Sequence, residues 1–386
     1  MKFKNVAKML CFAMVTTKAL SACSNAPTLI ENGSAVVGYA TGLDEENIMA
    51  VATGVTNGAR AVDDVVTQAA NKGLEAAVAA GDYISGNSAT GAEAVPATTP
   101  DLPPELQGEG LLSVHFIDVG QGDSILLEYE GENGPEYALI DAGDNDKGTT
   151  VQKYLQDMGV ERLKYLILTH PDADHIGGAD VIISKFDIDN IYMSSVTKDT
   201  ATYRDVIDAM EYRSYTWSTP DVGTIAYLGD AQLEILAAPS EYEDVNNDSL
   251  VVKATYGEAS FLFMGDAEFE EEEELLDRFA KVDDTLDVDV LKAGHHGSYS
   301  SSSNEFIAEV TPEWTVISCG LDNQYGHPHA TSLYNIADYE SALFRTDVQG
   351  TIVCVTNGTD YTWDKMPTDC WKTGEELLMD DIEYER

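Results

Sequence analysis

Basic side chains are scarce in this sequence. The 22 Lys and Arg stand against 68 Asp and Glu, a formal net charge of -46 over 386 residues. A nucleic-acid binder builds a basic face for phosphates, and little is available here to build one. A small or neutral substrate, or a polyanion held chiefly through bound metal, fits better, and a salty or extracellular setting would account for the acidity equally well. Long apolar runs are also missing: no stretch approaches the roughly 20 residues of a membrane span. Cysteines number five, an odd count with no disulfide framework. Histidine is sparse too, with seven in all, so any clustering of them carries weight.

The first residues read as an export signal. Lys2, Lys4 and Lys8 precede a short apolar region from Met9 to Val15, and Leu20-Ser21-Ala22-Cys23 resembles a bacterial lipobox. This predicts a lipoprotein-type signal peptide over 1–23, a lipid on Cys23 and an exported bacterial protein, cell-surface or secreted, that meets the membrane through its N-terminal lipid. Lys18 departs from the pattern, since it puts a charge close to the cleavage site. Cys11 would leave with the signal, while Cys319, Cys354 and Cys370 read as unpaired in preference to a Cys354–Cys370 bridge. Residues 24–110, rich in Ala, Gly and Thr with Pro96, Pro100, Pro103 and Pro104 at the end, read as a flexible tether in which 44–80 has the pattern of one or two Ala-rich helices. A folded domain is expected over 111–370 and an acidic tail over 371–386.

What is present is a dense run of metal-ligand side chains. His170-Pro171-Asp172-Ala173-Asp174-His175 follows directly from the apolar stretch Tyr165 to Thr169, so four ligand side chains fall within six residues at a strand end. Four residues from one loop cannot close two coordination spheres, and the chain supplies others. Phe261 to Asp266 is an apolar run ending in a carboxylate, and Val288 to Ser298 contains the pair His295-His296. Strand ends that each bring a ligand to one edge of a sheet are how an α/β scaffold builds a site from distant sequence. The plain alternative is ordinary histidines beside helix-capping aspartates. For Asp174 it holds in part, because Ile176 to Ile183 looks helical and a carboxylate suits its first turn.

Together these motifs resemble the metallo-β-lactamase superfamily, in the HxDxDH form of the ComEC-type competence proteins and their stand-alone relatives. HPDADHIGG carries the core of the likeness. FIDVGQGDSILL from Phe116, LIDAGD from Leu139, NNDSLVV from Asn246, FLFMGDAE from Phe261, LKAGHHGSYSSSS from Leu291 and YGHPH from Tyr325 follow the family's order, between about Leu111 and Trp363. Periodicity alone gives a mixed α/β domain. Its strands fall at Ser113–Val119, Ser124–Tyr129, Tyr137–Asp141, Lys164–Thr169, Gln232–Ala238, Leu250–Tyr256, Ser260–Met264, Val288–Leu291 and Thr315–Ser318, with a helix at Gly148–Met158. The resemblance implies an αββα sandwich with its site along the shared edge of two sheets. The membrane channel that accompanies this module in competence proteins is expected to be absent, so DNA import by this chain alone is not expected.

The resemblance also implies roles. His170 and Asp172 would hold one metal, Asp174 and His175 the other, and Asp266 would bridge them. One of His295 and His296 would complete the second site, with His295 preferred as the first residue past Gly294 and His296 then facing substrate. Asp248 is weighed equally as a further ligand and as a turn residue before Leu250. Asp118, Asp123 and Asp141 would stand behind ligating histidines and fix their tautomers, with Gln121 in the same loop. Gly120 and Gly122 would let that loop come close. His327 would grip a phosphate or protonate the leaving group, with His329 beside it. Ser298 is a hydrogen-bond donor to substrate or part of a helix-capping loop, and the acidic run Glu268 to Glu274 reads as a solvated helix face.

Two divalent ions sharing a water lower its pKa from about 15.7 toward about 7, which supplies hydroxide at neutral pH without a protein nucleophile. The mixture of imidazole and carboxylate suits Zn and also tolerates Mn or Fe. The expected function is a dinuclear phosphodiesterase or nuclease, with Asp174, Asp266 and His327 at its catalytic centre. The alternative is an exported metallo-esterase acting on a phosphorylcholine or teichoic-acid type of surface substrate. A surface lipoprotein without activity, or a lactam-hydrolysing enzyme, fits the motif less well.

Overall fold

The computed structural model describes residues 110–384 together with Leu106, apart from 241, 280–284 and 322. The signal segment, Cys23, the Ala-rich stretch and the tether up to residue 105 lie outside the described residues. Fifteen strands are described: β1 (Leu111–Phe116), β2 (Ile125–Gly131), β3 (Gly134–Ile140), β4 (Arg162–Leu168), β5 (Asp187–Met193), β6 (Trp217–Ser218), β7 (Ile225–Leu228), β8 (Ala231–Ala237), β9 (Val251–Tyr256), β10 (Ala259–Phe263), β11 (Val290–Lys292), β12 (Trp314–Ile317), β13 (Ala342–Arg345), β14 (Ile352–Thr356) and β15 (Tyr361–Trp363). One sheet runs β15-β14-β1-β2-β3-β4-β5-β6 and the other β13-β12-β11-β10-β9-β8-β7. Among the helices are α1 (Gly148–Asp157), α2 (Ala173–Ile176), α3 (Ala179–Lys185), α4 (Ala201–Arg213), α5 (Phe269–Phe279), α6 (Asn304–Val310), α7 (Ala330–Asp338), α8 (Thr346–Gln349) and α9 (Gly374–Tyr384).

The layering follows from side-chain alternation. Leu112, Val114 and Phe116 of β1 share one core with Ile125, Leu127, Val252, Phe261 and Phe263, which fills the space between the two sheets. The intervening residues face the other way. Leu126, Leu139, Leu166 and Leu168 pack with Val151, Leu155, Ile182, Ile183, Val206 and Met210 from α1, α3 and α4. Leu262, Met264 and Leu291 pack with Leu275, Phe306, Ile307, Leu333 and Ile336 from α5, α6 and α7. Both sheets are thus covered on both faces, which is why β4 and β10 read as nearly continuous apolar runs. The expected αββα sandwich is the observed order of layers.

β3 to β6 pair in parallel, as do β10 to β13. The carboxyl ends of β4, β10 and β11 open toward one edge, where the Leu250 N–H donates to the Thr169 carbonyl at 3.0 Å and links the two halves.

Two expectations change. The segment read as an acidic tail is tied into the domain. Arg345, fully buried beside Asp347 (2.6 Å), donates to the carbonyls of Cys370 (3.1 Å) and Lys372, and the Gly374 N–H donates to the Pro328 carbonyl at 3.2 Å. Cys319, Cys354 and Cys370 are unpaired.

The run Glu268 to Glu274 is not simply a solvated face, because Glu271 and Glu272 are buried. Glu272 accepts the Ser302 and Ser303 N–H groups at 2.5 and 2.8 Å, and so holds the serine loop against α5. Burial pushes the Glu271 carboxyl up to about 8 and that of Glu272 up to about 7. A carboxyl with a raised folded value favours the native state only while protonated. Its contribution is complete below about 4.5 and is lost as pH rises toward 8. Glu271→Gln should therefore be more stable than wild type above pH 8 and should lose that advantage below about 4.5, as followed by urea denaturation at both ends.

Candidate metal centre

Past the end of β4, Thr169 and His170 lead into α2, with Asp172 at its N-cap and Asp174 and His175 inside it. β10 delivers Asp266 just past the Gly265 turn, and β11 delivers His295 and His296 through the 3-10 turn Gly294–Gly297. Ligand atoms of Asp174, His175, Asp266 and His296 lie within 4.8 Å of one another.

These atoms meet acceptor to acceptor. His175 Nδ1 lies 2.8 Å from Asp141 Oδ2, and His296 Nδ1 lies 2.9 Å from the Ser318 carbonyl. A carboxylate and a carbonyl only accept, so each ring carries its proton on Nδ1. The two Nε2 lone pairs then face each other across 3.3 Å, and they face Asp266 Oδ1 across 3.1 and 3.3 Å. His170 Nε2 is buried without a partner, 3.9 Å from Asp266 Oδ2. With each Nδ1 proton committed outward, the converging Nε2 and carboxylate atoms fit divalent cations and, in an ion's place, a proton.

The electrostatics agree. Burial opposes charge on His175 and His296, yet Asp266 and the neighbouring carboxylates raise both rings well above the ordinary histidine value. Burial would likewise push Asp266 up, but His175, His296 and His295 hold it well below the usual carboxylate range. The rings gain a proton where a metal ion would bring the same sign of charge.

A second layer holds the ligands. Asp141, at φ 57°, accepts the Thr169 N–H (2.9 Å) and hydroxyl (2.7 Å) as well as bonding His175. Asp123 Oδ1 is 3.5 Å from His296 Nδ1, and its Oδ2 is 2.9 Å from the fully buried Lys292. The glycine loop approaches as expected. Gly122 has φ 121°, and a Cβ there would sit 2.1 Å from the Asp174 carbonyl oxygen, which also accepts the Asp123 N–H at 3.2 Å. Gly122→Ala is accordingly expected to cost on the order of 1–3 kcal/mol in denaturant unfolding, and an unchanged midpoint would disprove this account of the close approach.

Residues 117–320 match the metallo-beta-lactamase superfamily. The chain belongs to that superfamily. By class it is a metal-dependent hydrolase, with a plausible dinuclear metal site. It is 31% identical over 266 residues to ComE operon protein 3 of Bacillus subtilis, which covers 64% of this chain and 33% of that protein. Competence protein ComA of Neisseria gonorrhoeae is 31% identical over 252 residues, again 64% of this chain and 33% of the relative. The chain thus spans about a third of the length of these curated relatives. Among solved structures, the metallo-beta-lactamase fold protein YhfI of Bacillus subtilis aligns with TM-score 0.44 and 11% identity, over 64% of this chain and 100% of that one.

Within this metallo-beta-lactamase domain the preference for His295 is corrected. The turn places both histidines in the left-handed region (φ 43° and 54°), which swings His296 inward to full burial. His295 is 22% exposed, with Nδ1 2.8 Å from Glu268 and Nε2 3.7 Å from Asp266 Oδ2, so it stands at the rim. Asp248 takes the turn role. Its Oδ1 accepts the Ser240 N–H at 2.8 Å, and the next residue, Ser249, reaches the site with its hydroxyl 3.3 Å from His170 Nδ1 and accepting the Asp266 N–H at 3.2 Å. Asp172 lies outside the four-residue cluster, its Oδ1 2.5 Å from Lys198 Nζ.

Asp118 backs no histidine. It accepts the Gly120 N–H at 3.0 Å and so braces the loop turn. Gln121 bridges the Gly320 N–H (3.4 Å) and His327 Nδ1 (3.4 Å). Burial, then the charges of His296 and His295, push His327 down to about 3, so it is a neutral ring near pH 7. With the Gln121 amide donating to Nδ1, its Nε2 carries the hydrogen. This suits gripping an oxygen rather than protonating a leaving group. His329 accepts from the Tyr299 N–H and donates to the Tyr325 carbonyl, both at 3.0 Å, which commits the ring to holding the loop. Ser298 bonds Ser300 (2.9 Å), whose hydroxyl reaches Glu268, so the serines brace the His295 loop.

Proposed function

We propose that this chain hydrolyses phosphodiester bonds at a centre of two divalent ions, with Zn as the best fit to its ligands and Mn or Fe as substitutes. The observation that carries the reading is the meeting of His175, His296 and Asp266 lone pairs beside the partnerless His170 Nε2. Asp174, His175, His296 and Asp266 would hold one ion, and His170, Asp172 and Asp266 the other. Bound there, the ions would activate a water and neutralise charge growing on a phosphoryl oxygen. Asp141 and Asp123 orient the imidazoles, Gln121 orients His327, and the His327 Nε2–H would hold a substrate oxygen. The likeness to competence proteins supports a nucleic-acid substrate.

The charge of -46 favours a second reading, an esterase acting on a small surface substrate such as a phosphorylcholine ester. Purified protein loaded with Zn or Mn, assayed on a bis-nitrophenyl phosphodiester, single-stranded DNA and a phosphorylcholine ester, separates the two. The reading fails if the wild type holds no metal, or if His170→Ala keeps full activity on the preferred substrate. Export as a lipoprotein, suggested by the Lys-rich start and Leu20-Ser21-Ala22-Cys23, is part of the proposal. Cys23→Ser should release the protein into the medium, and unchanged membrane retention would refute the lipid.

A further inference from the structure

Lys198 is a cation in an acidic chain, seated on the one carboxylate of the HPDADH loop that stands apart from the ligand cluster. We propose that Lys198 is a counter-ion exchanged at Asp172: it neutralises this carboxylate in the metal-free protein, is displaced when a divalent ion takes Asp172, and then binds an anionic oxygen of the substrate. The inference rests on the hydrolase reading above and names the substrate class more closely, an ester that keeps a negative charge beside the scissile bond.

The Lys198 ammonium lies 2.5 Å from Asp172 Oδ1, with the two side chains 38% and 28% exposed. A pair this accessible can open at small cost, unlike a buried one. Its segment is anchored at the site. The Ser194 N–H donates to the Leu168 carbonyl at the end of β4, and its hydroxyl donates to the Asp248 carbonyl, both at 3.2 Å. The Thr200 hydroxyl caps α4 by accepting the Tyr203 N–H at 3.2 Å. The nearest competing acid in sequence, Asp199, is engaged by Arg204 at 2.5 Å. Lys198 is thus held between two fixed points with Asp172 as its anion.

Charge balance supplies the rest. On that side Asp266 Oδ2 lies 3.9 Å from His170 Nε2 and 3.7 Å from the rim His295 Nε2, and Asp172 is the second carboxylate an ion there would draw on, so it must be free for the ion to take it. Ser249, against His170 Nδ1, offers a hydroxyl and no charge. An ion that binds Asp172 must therefore compete with the ammonium. Once released, the ammonium stays on its short tether at the site, where a diester brings a negative oxygen that needs a partner.

The two roles predict opposite effects of one substitution, which a merely structural lysine would not give. Lys198→Met should bind the weaker of two Zn equivalents about tenfold more tightly, as read by competition with a chromogenic chelator. In the Zn-loaded enzyme it should raise KM for bis-nitrophenyl phosphate about tenfold or more with kcat little changed, and weaken inhibition by inorganic phosphate in parallel. Lys198→Arg, which keeps the charge, should stay near wild type in every arm. Looser or unaltered Zn binding in Lys198→Met, or an unaltered KM, overturns the inference. A wild type that binds no Zn defeats the hydrolase reading itself. A wild type that binds Zn and cleaves the diester while Lys198→Met matches it defeats only the role of Lys198.

Discussion

Asp266→Ala is expected to bind at least one metal equivalent fewer than wild type and to lose about three orders of magnitude or more in kcat/KM, the several kcal/mol that metal ions contribute to such transition states. Each oxygen of this carboxylate faces a different group. Oδ1 is 3.1 Å from His175 Nε2 and 3.3 Å from His296 Nε2, while Oδ2 is 3.9 Å from His170 Nε2 and 3.7 Å from His295 Nε2. Its removal leaves two buried imidazoles face to face with only Asp174, 3.4 Å from His296 Nε2, as a carboxylate beside them, so both a metal and a shared proton are held less well. Asp266→Asn preserves the shape and removes the charge, and should fail nearly as badly. Metal content by elemental analysis beside steady-state kinetics decides the matter: full metal content with full activity in either variant would remove Asp266 from the centre.

Lys292→Met should destabilise the fold by about 3–5 kcal/mol, the usual cost of leaving a buried charge without its partner. Lys292 is fully buried within β11, its ammonium 2.9 Å from Asp123 and donating to the Ala293 carbonyl at 2.8 Å. Burial alone would raise the Asp123 carboxyl, but Lys292 and then His296 bring it below its ordinary value. Without the lysine, Asp123 must protonate or draw in water, and the His296 ring loses one of its supports. A double variant, Lys292→Met with Asp123→Leu, should recover much of the stability because no charge is left unpaired. It should not recover metal affinity. A loss below about 1 kcal/mol for Lys292→Met, the level of a surface pair, would show that the pair is solvated in practice.

The parts of the fold legible in the sequence are those where one residue type does one job. β1, β2 and β10 announce themselves because alternate apolar side chains must fill two separate cores. β5 escapes because Asp187, Asp189 and Asn190 give it an exposed polar side, and β13 because four residues ending in a buried arginine do not read as a strand. At the site, HPDADH and Asp266 are legible since each follows an apolar run that fixes its position. The choice between His295 and His296 is not, since it depends on two consecutive left-handed residues that no histidine signals. Asp248 and Ser249 differ by one step along a turn, and only the turn's geometry decides which side chain points inward. The glutamate run misleads in a similar way, because a helix with acids on every face cannot show from composition which of them face inward. Lys292, a charge set between the apolar residues Val290, Leu291 and Ala293, was an available signal.

The clasp between Arg345 and the carbonyls of Cys370 and Lys372, with Gly374 bonded to Pro328, has a consequence for anyone cutting or fusing this domain. A border drawn at residue 370 would sever the segment that braces the His327 loop from behind, and an excised piece ending there would be judged inactive for want of a buttress rather than for want of chemistry.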